Sequence, residues 1–234
     1  MVDKPGAFMA SRPTVIEQRY TFKAYQAVYA VIQELNRKDA EAVVELLIRN
    51  DKGMLNDIAK WCSTTGYQLI CSELGKEGEM RCLIQKGEQK INHKVMTVVI
   101  STADLEYIAY PFDKAIGGAV SGMEVNLIFE GAGVRLLKRG YRASLSGFWG
   151  RMFTTVVEKV MKDKIGWPLP QEAILLLEDL GAKFYVCGPS LVGYGITEEE
   201  LVVKNHALGG VITWVDLLAS SNVSVFSKSA FEKP

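Results

Sequence analysis

Val95-Met96-Thr97-Val98-Val99-Ile100-Ser101 is a run of apolar and β-branched residues with no alternation of polar and apolar positions. A run of this length reads as a strand covered on both faces, and such strands belong to parallel sheets flanked by helices. The chain downstream keeps to the same pattern. Residues 105–121 have the length and spacing of a helix, 124–129 of a strand, 171–180 of a helix and 183–187 of a strand. Segments 198–204, 209–220 and 223–226 carry the alternation on. This order predicts an α/β fold over residues 95–234, a doubly wound parallel sheet in flavodoxin-like layers.

Upstream the pattern changes. Tyr25, Val28, Val31, Ile32 and Leu35 recur near the 3.6-residue period and predict a helix over 22–36. Residues 42–48 are a strand-length run that ends in the turn-rich Arg49-Asn50-Asp51-Lys52-Gly53. Asp51 or Asn56 can cap a second helix over 54–64, and Gly66 supplies its left-handed stop. Residues 67–72 and 80–85 then pair as a hairpin. With a leading strand, the order strand, helix, strand, helix, strand, strand makes a small two-layer α/β sandwich over 18–88. Residues 1–17 read as a loosely held arm and 89–94 as a polar linker.

The 234 residues are 48% hydrophobic and 23% charged, values that exclude a disordered, collagen-like or coiled-coil chain. Lys+Arg 27 balance Asp+Glu 27, so net charge steers the protein to neither nucleic acid nor an anionic surface. No apolar run is long enough for a membrane span, and the first twenty residues lack the apolar stretch of a secretory signal. A cytoplasmic protein with reduced thiols is expected. Its four cysteines, Cys62, Cys71, Cys82 and Cys187, form no C-x-x-C, and with only His93 and His206 to add imidazole no zinc site is expected. Neither G-x-G-x-x-G after a strand nor G-x-x-x-x-G-K-[ST] occurs, so no nucleotide or other cofactor is expected. The absence of G-x-S-x-G and H-E-x-x-H removes the commonest hydrolase readings.

Charge is nevertheless segregated. Between Arg135 and Lys164 stand eight basic residues against Glu158 and Asp163 alone. The same section carries Phe148, Trp149, Met152, Phe153 and Trp167. Those aromatics either pack in the core or an oligomer interface, or the section docks an acidic partner or anionic ligand.

Ligands of open parallel sheets bind outside the carboxyl ends of the strands. That rule selects Cys187, which ends the strand-like Ala182-Lys183-Phe184-Tyr185-Val186-Cys187 and is followed by Gly188-Pro189-Ser190. A thiol beside free backbone N–H groups at a helix start is favoured as thiolate, the form a nucleophile or sulfur acceptor needs. Cys187 can equally be a small apolar residue capping a core strand. His206 can reach that edge as a base or serve as a surface or capping residue. Cys62, Cys71 and Cys82 are expected to pack inside the smaller sandwich.

The stretch from Val95 to Phe226 resembles the DsrE/DsrF-like family of sulfur-relay proteins. The resemblance rests on the opening VVIST strand, GMEVNLIFEGAGVRLL, LEDLGAKFYVCGPSLVGYGITEEELV and the closing GGVITWVDLLASSNVSVF. It implies that the cysteine ending the GAKFYVC strand, Cys187, carries a persulfide passed between proteins. The smaller sandwich looks like a divergent TusA-like sulfur-carrier fold through Glu45-Leu46-Leu47-Ile48, Asn56 to Cys62, Thr65 to Leu69 and Cys82 to Gly87. TusA-like proteins carry sulfur on a Cys-Pro-x-Pro motif that starts the first helix. Here that stretch reads Tyr20-Thr21-Phe22-Lys23-Ala24, so the carrier chemistry is expected to be lost.

The resemblance thus implies a cytoplasmic sulfurtransferase or sulfur carrier. Cys187 holds the sulfur, Gly188 and Ser190 offer N–H groups to the anionic sulfur, and Lys183 with the basic section draws in an acidic donor or acceptor protein. A homo-oligomer fits the four tryptophans and the aromatic section. The alternative is a non-catalytic scaffold or small-molecule-sensing subunit of an oligomeric sulfur-metabolism assembly. Thiol peroxidase chemistry ranks last, because the sequence sets neither an activating arginine nor a resolving thiol beside Cys187.

Overall fold

Residue contacts divide the chain into two units, Met1–Lys90 and Ile91–Pro234. The computed structural model describes residues 13–88, 90 and 93–227. In the first unit the order is β1 (Thr14–Gln18), α1 (Ala24–Asn36), β2 (Val43–Ile48), α2 (Lys52–Thr65), β3 (Gln68–Leu74) and β4 (Met80–Gln85). The strands form one mixed sheet in the order β1-β2-β4-β3, with β1 parallel to β2 and the remaining pairs antiparallel.

Val44, Leu46 and Ile48 are buried and alternate with partly exposed neighbours, the signature of a sheet with one covered face. The helices cover it with Val28, Val31 and Leu35 from α1 and Met54, Ile58 and Trp61 from α2. The Asp51 carboxylate accepts the Met54 N–H at 3.1 Å, and Gly66 at φ 90° ends α2.

Strand β1 corrects one expectation. Residues 14–17 fall within the expected arm, yet they pair with β2 from Thr14↔Val44 to Gln18↔Ile48. This is an edge strand of five residues with Val15 and Glu17 exposed, too short and too polar to stand out as a buried run. The rest of the arm, residues 1–12, and residues 89, 91 and 92 of the expected linker lie outside the described residues.

The second unit runs β5 (Val95–Ile100), α3 (Leu105–Val120), β6 (Glu124–Phe129), a 3-10 segment (Gly131–Leu137), α4 (Gly147–Val160), a π turn (Met161–Ile165), α5 (Pro170–Asp179), β7 (Lys183–Cys187), α6 (Gly188–Gly193), a 3-10 turn (Glu198–Glu200), β8 (His206–Gly209), α7 (Val211–Ala219) and β9 (Val223–Phe226). Its five strands lie in the order β8-β7-β6-β5-β9, every pair parallel. The chain steps outward from β5 to β8 and returns to the other side of β5. With right-handed crossovers, that reversal puts α7 on the face opposite α3 and α5. Phe112 of α3 meets Phe129, which stacks on Phe184, across one face. On the other face Trp214 of α7 packs on Val99 and Ile128, and Thr97 Oγ1 donates to Leu217 O at 3.4 Å. This is the doubly wound parallel sheet that the run at Val95 implies. The segment 198–204 contributes only a 3-10 turn, and β8 begins later, at His206.

Candidate functional site

Cys187 is the last residue of β7, at the carboxyl edge of the parallel sheet, in register with Gly209 of β8. Strand alternation puts its side chain on the α7 face, where it packs half-buried against Val99, Ile128 and Trp214. The chain turns directly from the thiol into α6, and a Cβ built on Gly188 would meet nothing within 4 Å. The loops after β6 and β7 are tied together. Ser190 Oγ accepts the Gly131 N–H at 3.0 Å, which leaves the hydroxyl proton to donate.

The 3-10 segment after β6 adds Arg135, whose role the sequence reading missed beyond its charge. Its guanidinium lies 4.7 Å from the Tyr141 ring centroid and 5.9 Å from that of Tyr194, just past α6. No carboxylate among the described residues pairs with it. The available signal was positional, an arginine in the loop that follows a sheet strand. Around this edge Val192, Tyr194, Leu208, Val211 and Ile212 are exposed, Ile212 at 88%.

Two of the expected site residues lie away from the thiol. Lys183 begins β7, four residues or about 13 Å along the strand from Cys187. Its Nζ is paired with Glu124 at 2.7 Å at the opposite sheet edge. His206 sits on β8 in register with Phe184, which puts it on the α3 face and about 10 Å down the strand. Its Nε2–H donates to Glu198 at 2.9 Å. Gly188 and Ser190 do adjoin Cys187.

The remaining thiols belong to the first unit. Cys62 and Cys82 are buried, and desolvation pushes their pKa values up to about 12 and about 11. Cys71 is exposed, against expectation, because β3 is an edge strand and its register slips between Leu69 and Cys71.

The basic section is only partly free. Arg142 is locked to Glu158, Lys138 to Glu200 and Lys162 to Glu172. Its aromatics divide: Trp167 is half-buried and donates Nε1–H to Asp113 at 3.0 Å, whereas Phe148, Trp149, Met152 and Phe153 of α4 are exposed. Tyr141, Arg142, Glu158 and Glu172 line a cavity of about 360 Å³ that includes none of the residues next to Cys187. Among the described residues no cluster of three or more His, Cys, Asp or Glu side chains could hold a metal, and no helix is long and apolar enough to cross a membrane.

The family model described as DsrE/DsrF-like matches residues 93–225, more than half of the chain. The chain belongs to the DsrE/DsrF-like family. The matched DsrE/DsrF-like region contains the whole parallel sheet apart from Phe226, together with Cys187 and its neighbours. No curated protein matches the sequence. Among solved structures, the ychN protein of E. coli aligns with a TM-score of 0.42 at 14% identity, covering 58% of this chain and 99% of that one.

Proposed function

We propose that this DsrE/DsrF-like protein is a cytoplasmic sulfurtransferase or sulfur carrier that receives sulfane sulfur on Cys187 and passes it to an acceptor thiol. The observation that carries the reading is one half-buried cysteine, the only one in the second unit, at the carboxyl edge of the family-matched sheet with open space beside Gly188. Cys187 thiolate attacks the outer sulfur of a donor persulfide R–S–SH. A new S–S bond forms to Cys187, the donor's S–S bond breaks, and R–S⁻ leaves with the electron pair. The product is Cys187–S–SH. An acceptor thiolate then attacks the terminal sulfur and restores Cys187 thiolate, with no net oxidation and no cofactor. The Ser190 hydroxyl and the N–H groups near Gly188 offer donors to the anionic sulfur. Arg135, which has no carboxylate ion-pair partner among the described residues, draws an acidic carrier toward this edge, so transfer slows as ionic strength rises.

The exposed Val211, Ile212 and Val215 lie on α7, whose Trp214 belongs to the cluster against which Cys187 packs, and they support a homo-oligomeric contact beside the thiol. The first unit begins its helix with Lys23 as N-cap where a TusA-like carrier has its Cys-Pro motif, so it serves as a docking module without carrier chemistry. The same apolar surface favours a second reading, in which the protein is a non-catalytic assembly subunit and Cys187 is packing.

Intact-protein mass spectrometry after incubation with polysulfide separates the two. It is best run in a Cys71→Ser background, because the exposed Cys71 reacts on its own account. Gain of sulfur-atom mass that disappears with Cys187→Ala is expected. Equal loading with and without Cys187, or none in either, gives the function to the assembly reading.

A further inference from the structure

Helix α4 is built inside out. Its buried stripe is polar and consists of Thr154 and Glu158. Thr154 Oγ1 accepts the Leu145 N–H at 3.1 Å and donates to Gly150 O at 3.2 Å, and Arg142 Nε lies 3.0 Å from both Glu158 oxygens. Every apolar side chain of the helix except the half-buried Val157 points to solvent: Phe148 at 74% exposure, Trp149 at 70%, Met152, Phe153, Val156 and Val160. At 100° per residue these six fall within an arc of roughly 140°, one continuous apolar face. A soluble helix facing only water would show the reverse pattern, so this face is built for a contact.

The surrounding charge identifies that contact. Arg151, Lys159 and Lys164 stand exposed on this segment without a carboxylate ion-pair partner among the described residues. From residue 142 to 165 the one exposed acid is Asp163. A twofold contact between copies would set these cations against themselves, and lysine is depleted from the centres of protein interfaces. Aromatic and methionine side chains ringed by unpaired Lys and Arg suit the boundary between acyl chains and anionic headgroups. The 14-residue helix, about 21 Å long, is too short to cross a hydrocarbon core of about 30 Å, so it would lie in the plane of the surface.

We propose that the outward face of α4 seats this protein peripherally on an anionic lipid surface. The proposal does not depend on the sulfur chemistry of Cys187. Phe148, Trp149, Met152 and Phe153 enter the headgroup boundary, while Arg151, Lys159 and Lys164 face the lipid phosphates. Each such cation is worth about fivefold in partitioning.

The test is co-sedimentation of the full chain with vesicles of phosphatidylglycerol mixed with phosphatidylcholine, and with phosphatidylcholine alone. Binding is expected to the anionic vesicles, to weaken with salt, and to fall about 25-fold in Lys159→Gln/Lys164→Gln, from the fivefold worth of each cation. Trp149→Gln/Phe153→Gln should abolish it while the thermal midpoint and the molar mass in solution stay unchanged, since both side chains are exposed. Absence of vesicle binding by the natural sequence overturns the proposal. So does a fall in molar mass for Trp149→Gln/Phe153→Gln, which would make the face a contact between copies.

Discussion

Four thiols with one intrinsic chemistry become three different groups through their surroundings. Cys62 and Cys82 sit in the apolar layer of the first unit, Cys71 on an exposed edge strand, and Cys187 half-buried at a sheet edge. A pulse of iodoacetamide on the native protein should label Cys71 and Cys187, and peptide mapping should find Cys62 and Cys82 labelled only after unfolding. Rapid native labelling of Cys82 would contradict the packing. The buried pair also sets an alkaline limit. Unfolded, these thiols lose their protons near 9.0, whereas in the fold they hold them to about 12 and about 11. Over that interval the unfolded chain binds fewer protons, so stability falls as pH rises. The melting temperature should decline from about pH 9 upward, and Cys82→Ala, though less stable overall, should show a shallower decline. Cys187 was legible as the end of a strand, because the unbroken run before it and the Gly-Pro after it mark a carboxyl edge. The place of His206 was not legible, because which strand it joins and which face it takes depend on β8, a four-residue His-Ala-Leu-Gly segment with no β-branched residue to announce it.

At the level of elements, the strong periodic segments could be read and the inverted ones could not. The helix over α1 and the strand β5 carry their burial in their spacing, and both form within two residues of expectation. Helix α4 has an equally regular stripe of apolar residues, but a stripe does not say which side faces the protein, and here the inward side is taken by Thr154 and by Glu158, whose buried carboxylate pairs with the exposed Arg142. Two substitutions test how elements hold the site and the core. Asp51→Ala removes the carboxylate that caps α2 and should cost about 1 kcal/mol in denaturant titration, without changing Cys187 reactivity. Gly209→Ala acts on the candidate site from the neighbouring strand. A Cβ there would come within 2.7 Å of the Trp214 ring, the same ring that packs beside Cys187. The indole must move, so a changed tryptophan fluorescence and an altered Cys187 alkylation rate are expected together. Unchanged alkylation would mean that Trp214 does not set the thiol's access.

The molecule as a whole joins a mixed four-stranded sheet with two helices to a parallel five-stranded sheet, each with its own buried layer. The second unit, Ile91–Pro234, contains the family match, Cys187 and α4, and produced alone it should melt cooperatively and still load sulfur. Failure to load while folded would assign the first unit a direct part in the transfer. Both margins of the parallel sheet are four-residue strands, β8 and β9. A strand that short turns only about two N–H groups outward, too few to template the growth of a foreign chain. In the second unit most of the exposed large apolar side chains lie instead on helices and on the rim near Cys187. When the second unit, produced alone, aggregates under stress, the deposits should be amorphous instead of fibrillar.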